Sequence, residues 1–187
     1  LLWSLGTVGI ASIHGPVLTT FAAETDWSRQ RLFDFLTGKP LEALQGKGWG
    51  NGQAEGILLP ANLTVATHIL KTPLQPNFKN VILALEDVTE APYRIDRLLT
   101  QWRLLGAFEK IKGIALGRFS QCDELGSADS FSVMEVLGDR LQDLNIPIVA
   151  ELPFGHDGIN AALPVGVPVI LDGDRGLLSF PEKPTPH

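Results

Sequence analysis

The sequence predicts a mixed α/β or α+β domain, on three observations. Short apolar segments alternate with two amphipathic helices through the middle of the chain. One segment, Asn80-Val-Ile-Leu-Ala-Leu-Glu86, is an almost uninterrupted apolar run, the pattern of a strand covered on both faces. Strand-like segments then dominate the last part of the chain.

The elements follow in order. Residues 1–11 read as a short apolar helix, and residues 12–21 as an extended stretch broken by Gly15-Pro16. Asp26 to Leu36 carries Trp27, Leu32, Phe33, Phe35 and Leu36 at the spacing of a helix with one buried face. Residues 41–56 hold glycine at 46, 48, 50, 52 and 56 with little apolar periodicity, which predicts a linker or surface loop and a boundary. Residues 56–60 and 63–70 are rich in apolar and β-branched residues and read as strands, with His68 packed within the second. Pro92 suits a first helical turn. Ile95, Leu98, Leu99, Trp102 and Leu105 then share one face, and Gly106 marks the stop. Residues 113–119 form the next strand. Residues 131–144 form a helix with Ser132 and Glu135 placed for a capping box. Residues 146–152, 167–171 and 177–180 are strands, and the proline-rich tail from Pro181 to His187 is expected to fray.

Composition narrows the function. The 187 residues are 44% hydrophobic and 19% charged, the balance of a globular protein with a core. A net charge of −6 argues against a basic nucleic-acid surface. No stretch reaches the roughly 20 apolar residues that span a bilayer, so no membrane partner is expected. The single cysteine, Cys122, excludes an intramolecular disulfide and a cysteine-based zinc site. No histidine pair has ligand spacing, so no metal is expected. The glycines from 46 to 52 lack the strand–loop–helix setting and the Lys-Ser/Thr pair of a phosphate loop. Leu1 opens inside an apolar run with no initiator methionine, which predicts the C-terminal part of a longer protein.

Two clusters carry chemistry. Glu86, Asp87 and Glu90 stand where an apolar strand ends and a helix begins, the place where side chains leave a core and reach a cleft. Glu86 ends the buried run and needs a partner there; otherwise it is an acid that satisfies first-turn amides. Arg94, Asp96 and Arg97 read as a solvated, salt-linked helix face. His156 lies in the glycine-flanked loop Leu152-Pro-Phe-Gly-His-Asp-Gly158, where it is either presented to a pocket as a proton carrier or an ordinary exposed loop histidine. His14, before Gly15-Pro16, either lines a cleft or braces a turn. Glu86 with His156 suggests an acid orienting an imidazole, which requires a nucleophile. No Gly-x-Ser-x-Gly elbow occurs, and Ser4, Ser12, Ser28, Ser120 and Cys122 have no nucleophile context, so the nucleophile is expected outside this chain.

Gly56-x-x-x-x-x-Asn62-Leu-Thr-Val65, Leu85-Glu-Asp-x-x-Glu-x-Pro-Tyr-Arg-Ile-Asp-Arg97, Gly113-x-x-Leu-Gly-Arg-Phe119 and Leu152-Pro-Phe-Gly-His156 with Asn160-x-x-Leu-Pro-x-Gly166 occur in that order. Together they resemble the LD-carboxypeptidases, the muramoyl-tetrapeptide carboxypeptidases of bacteria, from the His14-Gly-Pro16 element to Phe180. Pro60-Ala61 stands where the family usually carries Gly-Gly. The resemblance implies a serine peptidase with a Ser-Glu-His triad. Glu86 would orient the imidazole, with Glu90 as its competitor, and His156 would be the general base. The serine belongs to a turn expected just before residue 1, and the oxyanion donors are expected to be lost with it.

The implied fold is a small β-barrel flanked by helices, following a Rossmann-like domain. Residues 1–25 would be a remnant of that nucleophile-bearing domain, 26–55 a helix and glycine-rich linker, and 56–187 the C-terminal catalytic domain. The implied reaction releases D-alanine from murein tetrapeptides during cytoplasmic cell-wall recycling, with no metal or other cofactor. The implied partners are the murein peptide and the missing N-terminal domain, and a homodimer stays open. This chain alone is expected to be inactive. Two alternatives remain: a peptidase like the microcin C self-immunity protein, and a non-catalytic binding domain.

Overall fold

The computed structural model describes residues 2–123 and 130–181. The expected mixed α/β architecture is present. A short helix α1 (Leu2–Thr7) precedes strand β1 (Ile13–His14) and helix α2 (Asp26–Leu36). Short strands β2 (Leu44–Gln45) and β3 (Lys47–Gly48) lead to the long strand β4 (Gln53–Asn62) and helix α3 (Leu63–Thr67). Then come β5 (Val81–Val88), α4 (Pro92–Leu104), β6 (Gly113–Ser120), α5 (Val133–Leu141) and β7 (Ile148–Ala150). Strands β8 (Leu163–Pro164), β9 (Pro168–Asp172) and β10 (Leu177–Ser179) complete the chain.

Eight strands form one mixed sheet in the order β2-β10-β9-β4-β5-β6-β7-β3, and β1 pairs with β8 separately. The centre is parallel, β4 to β5, β5 to β6 and β6 to β7, with α3, α4 and α5 as crossovers. Helices must cover one face of such a unit, which is why β5 reads as a continuous apolar run. β9 runs antiparallel to β4 and extends the sheet to β10.

The sheet is not a closed barrel, which corrects the expected architecture. It is a sheet curled until its edges meet in one piece of chain. β2 pairs with β10 on one edge, β3 pairs with β7 on the other, and only Gly46 separates them. The glycine-rich stretch expected as a linker is therefore woven into the sheet. The reason is steric. A Cβ at Gly46 would collide with the Ala150 carbonyl oxygen, and one at Gly48 with that of Gly173. Glycine here permits close approach of backbones rather than flexibility.

The curl separates two cores. Outside it, α3, α4 and α5 pack on Leu83, Leu85, Ile114 and Leu116. Trp102 lies stacked between Phe78 and Phe108 and donates its ring N–H to Thr67 Oγ1 at 2.7 Å. Inside the curl, Leu58, Ile82, Ala84, Ala115, Val149, Phe154 and Leu178 form the second cluster. The capping box of α5 is present, with Ser132 and Glu135 each bonded to the other's backbone.

Two expectations from periodicity fail. Residues 63–67 form helix α3, not a strand, because Asn62 accepts from the Val65 amide as N-cap. His68 sits at the helix end, exposed, with Nδ1 2.7 Å from the Thr64 carbonyl oxygen. Helix α2 does not bury its apolar stripe: Trp27, Phe33 and Leu36 are exposed, and the buried residues are Ser28 and Arg31. Polar side chains face inward there because they tie loops to the helix. Ser28 Oγ accepts from the Asn160 amide at 2.9 Å, and the Arg31 guanidinium donates to the Glu42 carbonyl at 2.9 Å between the Trp27 and Phe180 rings. The tail beyond Pro181, with His187, lies outside the described residues.

Candidate active site

Strand alternation places the two candidate acids on opposite faces of β5. Ile82 and Ala84 point into the curl, and Glu86 continues that face at the C-terminal end of the strand. Against β6 the register shifts by one residue between Leu85 and Asp87, so that Gly117 and Arg118 of β6 stand opposite Glu86 alone, a bulge of the neighbouring strand at the level of the acid. Asp87 points the other way, toward α3.

Glu86 is fully buried, at 0% exposure. Its Oε2 lies 2.7 Å from His156 Nδ1. The His156 side chain is 50% exposed, so one ring nitrogen meets the buried acid and the other remains for chemistry. Burial pushes the Glu86 carboxyl up to about 7, and the neighbouring His156 works against that rise. His14 approaches the other oxygen: its Nε2 stands 3.8 Å from Glu86 Oε1, with the side chain 15% exposed. Burial, then the nearness of His156, pushes the His14 imidazole down to about 4, so it is neutral at physiological pH.

Backbone contacts hold the loop that carries His156. Arg118 N–H of β6 donates to the Phe154 carbonyl at 2.7 Å, and Gly155 N–H to Asn160 Oδ1 at 3.4 Å. Gly155 has φ of +139°, and a Cβ there would stand 2.9 Å from Arg118 Cβ, so only glycine carries the chain past β6 into the histidine. The Thr25 amide of the α2 N-cap bonds the Gly158 carbonyl at 3.1 Å. His14 is placed by the β1–β8 pair, in register with Leu163.

The other candidates fall elsewhere. Glu90, just before α4 and only 19% exposed, pairs with Arg94 at 3.5 Å, and the acid within hydrogen-bond reach of the His156 ring is Glu86. Asp87 is a structural anchor. Its oxygens accept from Asn62 Nδ2, from the Val88 amide, and from both the amide and hydroxyl of Thr64, at 2.8–2.9 Å. Asp96 pairs with Arg140 at 2.6 Å, and Arg97 lies over the Tyr93 ring, as a solvated helix face does. Cys122 is buried, and burial pushes its thiol up to about 11, so it is not a nucleophile. Among the described residues no group of three His, Cys, Asp or Glu is placed to hold a metal ion. Two neighbours of the site escaped the sequence reading. Glu24 lies near His156 and Asn160, its carboxyl raised chiefly by burial, and Arg118 stands 3.8 Å from Asp157. Arg118 belongs to the Gly113–Phe119 motif but had no role assigned to it, and Glu24 lies in no motif. Both meet the site because the segment before α2 and strand β6 flank the same loop.

A buried carboxylate that accepts from a half-exposed imidazole is the arrangement with which hydrolases orient a general base. Comparison with known proteins agrees with that class. Residues 55–171 match the LD-carboxypeptidase C-terminal domain, and the chain belongs to that family. It is 59% identical over 180 residues, 96% of its length, to a Synechocystis sp. protein named a putative carboxypeptidase. It is 30% identical over 187 aligned residues to the murein tetrapeptide carboxypeptidase of Pseudomonas aeruginosa, covering 89% of this chain and 58% of that one. The crystal structure of the muramoyltetrapeptide carboxypeptidase from Oxalobacter formigenes superposes with a TM-score of 0.83 at 29% identity, covering 95% of this chain and 63% of that one. The chain spans about 60% of the length of the Synechocystis relative.

Proposed function

We propose that the protein carrying this chain is a serine-type LD-carboxypeptidase that releases the terminal D-alanine of murein tetrapeptides. In this reading Glu86 and His156 are two members of its triad, and the nucleophilic serine and oxyanion donors come from residues outside these 187. The observation that carries the reading is the 2.7 Å contact from Glu86 Oε2 to His156 Nδ1, made by a fully buried carboxylate. The names of the Pseudomonas and Oxalobacter relatives support the substrate.

The serine attacks the carbonyl between the L-centre of the diamino acid and D-alanine. His156 Nε2 takes the serine proton and returns it to the departing amine. Glu86 accepts from Nδ1–H, holds the ring in the tautomer that leaves Nε2 free to accept, and stabilises the imidazolium as it forms. The burial of Glu86 opposite the β6 bulge and the pinned loop of His156 fix that geometry before substrate arrives, so little of the barrier is spent on ordering it. The chemistry assigned to these residues requires no metal. The reading places the protein in the cytoplasm, where wall peptides are recycled. Among the described residues no helix is long and apolar enough to cross a membrane.

The test is D-alanine release from a muramoyl tetrapeptide by the intact protein, with the 187-residue chain and the variant His156→Ala as comparisons. Release by the intact protein alone supports the reading. Release by the isolated chain at the same rate refutes an external serine. Cleavage of an aminoacyl-sulfamoyl adenosine in place of the tetrapeptide would assign the microcin-immunity alternative, and inertness toward both the non-catalytic one.

A further inference from the structure

Glu86 is held on one side only. Its Oε2 meets His156, but among the described residues Oε1 is buried and has no hydrogen-bond partner. A buried carboxylate oxygen without a donor is costly, and native sites rarely leave one so. A candidate donor to Oε1 is His14 Nε2, at 3.8 Å. That is too long for a direct hydrogen bond, and is closed by a shift of about 1 Å or by one bridging water. Asn62 and Asp87 also stand around Glu86: the Asn62 side chain favours the ionised carboxyl although its Nδ2 donates to Asp87 at 2.8 Å, and the Asp87 charge opposes it. Glu24 and Asp157 stand around His156, and Arg118 stands by Asp157.

We propose that His14 is a positioning residue for Glu86: its Nε2–H serves the free oxygen Oε1, so the carboxylate is gripped by an imidazole on each side and stays ionised as the partner of His156. The two histidines then have different tasks. His156 is half exposed and exchanges protons. His14 is enclosed, with β1 holding its backbone against β8, and stays neutral because burial and the proximity of His156 disfavour its cation. A neutral ring is what the role needs, since it donates a hydrogen bond without competing for the proton that moves.

Loss of the donor has a definite sign. Without it Glu86 holds a proton more readily, and the pair's last proton moves from His156 to Glu86. The imidazole titration of His156 then falls by about one unit, the size expected when a charged acceptor loses one donor. The acid limb of any activity that needs the ionised pair moves the other way, up by as much as about one unit, because the last proton now leaves from Glu86. His14→Gln keeps an N–H donor and remains within a few tenths of the wild type, whereas His14→Leu shows the full shift.

The experiment is NMR of the intact protein labelled with ¹⁵N in its histidine rings, read across pH 5–8. In the wild type His14 is expected as the neutral Nε2–H tautomer throughout. An Nδ1–H tautomer, or titration of His14 near 6.5, overturns the proposal without any variant, so it stays falsifiable even where His14→Leu does not fold. Equal His156 titrations in the Leu and Gln variants overturn it too. The spectra do not depend on the peptidase reading. Only the kinetic arm rests on it, so absence of D-alanine release by the wild type would count against that reading and leave the spectroscopic test standing.

Discussion

Glu86 and Asp87 are consecutive, both carboxylates, both buried, and they face opposite sides of one strand. On the helix side, every bond Asp87 makes is to a neighbour that stays in place: the Asn62 amide group, the Thr64 amide and hydroxyl, and the Val88 amide. On the curl side, Glu86 meets a half-exposed imidazole through Oε2, and among the described residues its Oε1 has no hydrogen-bond partner. The first carboxylate ties α3 to β5. The second is under-satisfied, and burial lifts its carboxyl to about 7, into the range where protons move. The difference teaches how to read buried acids: a saturated set of donors marks structure, and an incomplete one beside an exposed titratable ring marks chemistry.

Four measurements break or sharpen that contrast. The largest expected effect is on catalysis. His156→Ala or Glu86→Gln in the intact protein should lower kcat for D-alanine release by about 10⁴-fold with the fold retained; a loss under tenfold removes both from the machinery. Next, Asp87→Ala strands several buried donors and should destabilise the protein by about 4 kcal/mol, measured by denaturant unfolding. The folded fraction should keep its activity, and activity that falls further than the folded fraction would mean that the two faces are not separate.

The third measurement concerns pH. The Glu86 carboxyl is raised from 4.5 to about 7 in the folded state, so the native state binds this proton more tightly than the unfolded chain. Its contribution to stability is greatest below pH 4.5 and is lost as pH rises to about 7. Glu86→Gln removes that loss, so the variant should gain on the wild type across this window by on the order of 3 kcal/mol. A stability difference independent of pH would show that Glu86 is ionised at no penalty. The smallest effect is at Glu90. Its ion pair with Arg94 is long, at 3.5 Å, and exposed on the arginine side, and Glu90→Gln should change stability by under about 1 kcal/mol and leave activity unchanged.

Much of this site was legible before any fold was known. The apolar run that ends in Glu86 and the glycine-flanked loop around His156 are local signals, and each placed its residue near an element end. The resemblance to the LD-carboxypeptidases paired them. Three local readings failed for one reason, that a pattern does not reveal what lies against it. Residues 63–67 have strand-like composition, but the Asn62 cap sets a helix. The glycines at 46 and 48 resemble a linker, but two sheet edges close on them. The apolar residues of α2 resemble a buried stripe, but Ser28 and Arg31 face the loops that the helix anchors.

Apart from α3, the sequence alone determined which segments are strands and which are amphipathic helices in the parallel core, because hydrophobic periodicity and caps act over a few residues. It also determined which carboxylates and histidines were available for chemistry. Only the tertiary structure decided that Glu86 rather than Glu90 meets His156, that Asp87 is an anchor, and that His14 stands at the second oxygen of Glu86. Those choices depend on a bulge, a strand pair and a curled sheet that bring together residues 70 or more positions apart in the chain, and distances of that kind have no local signature.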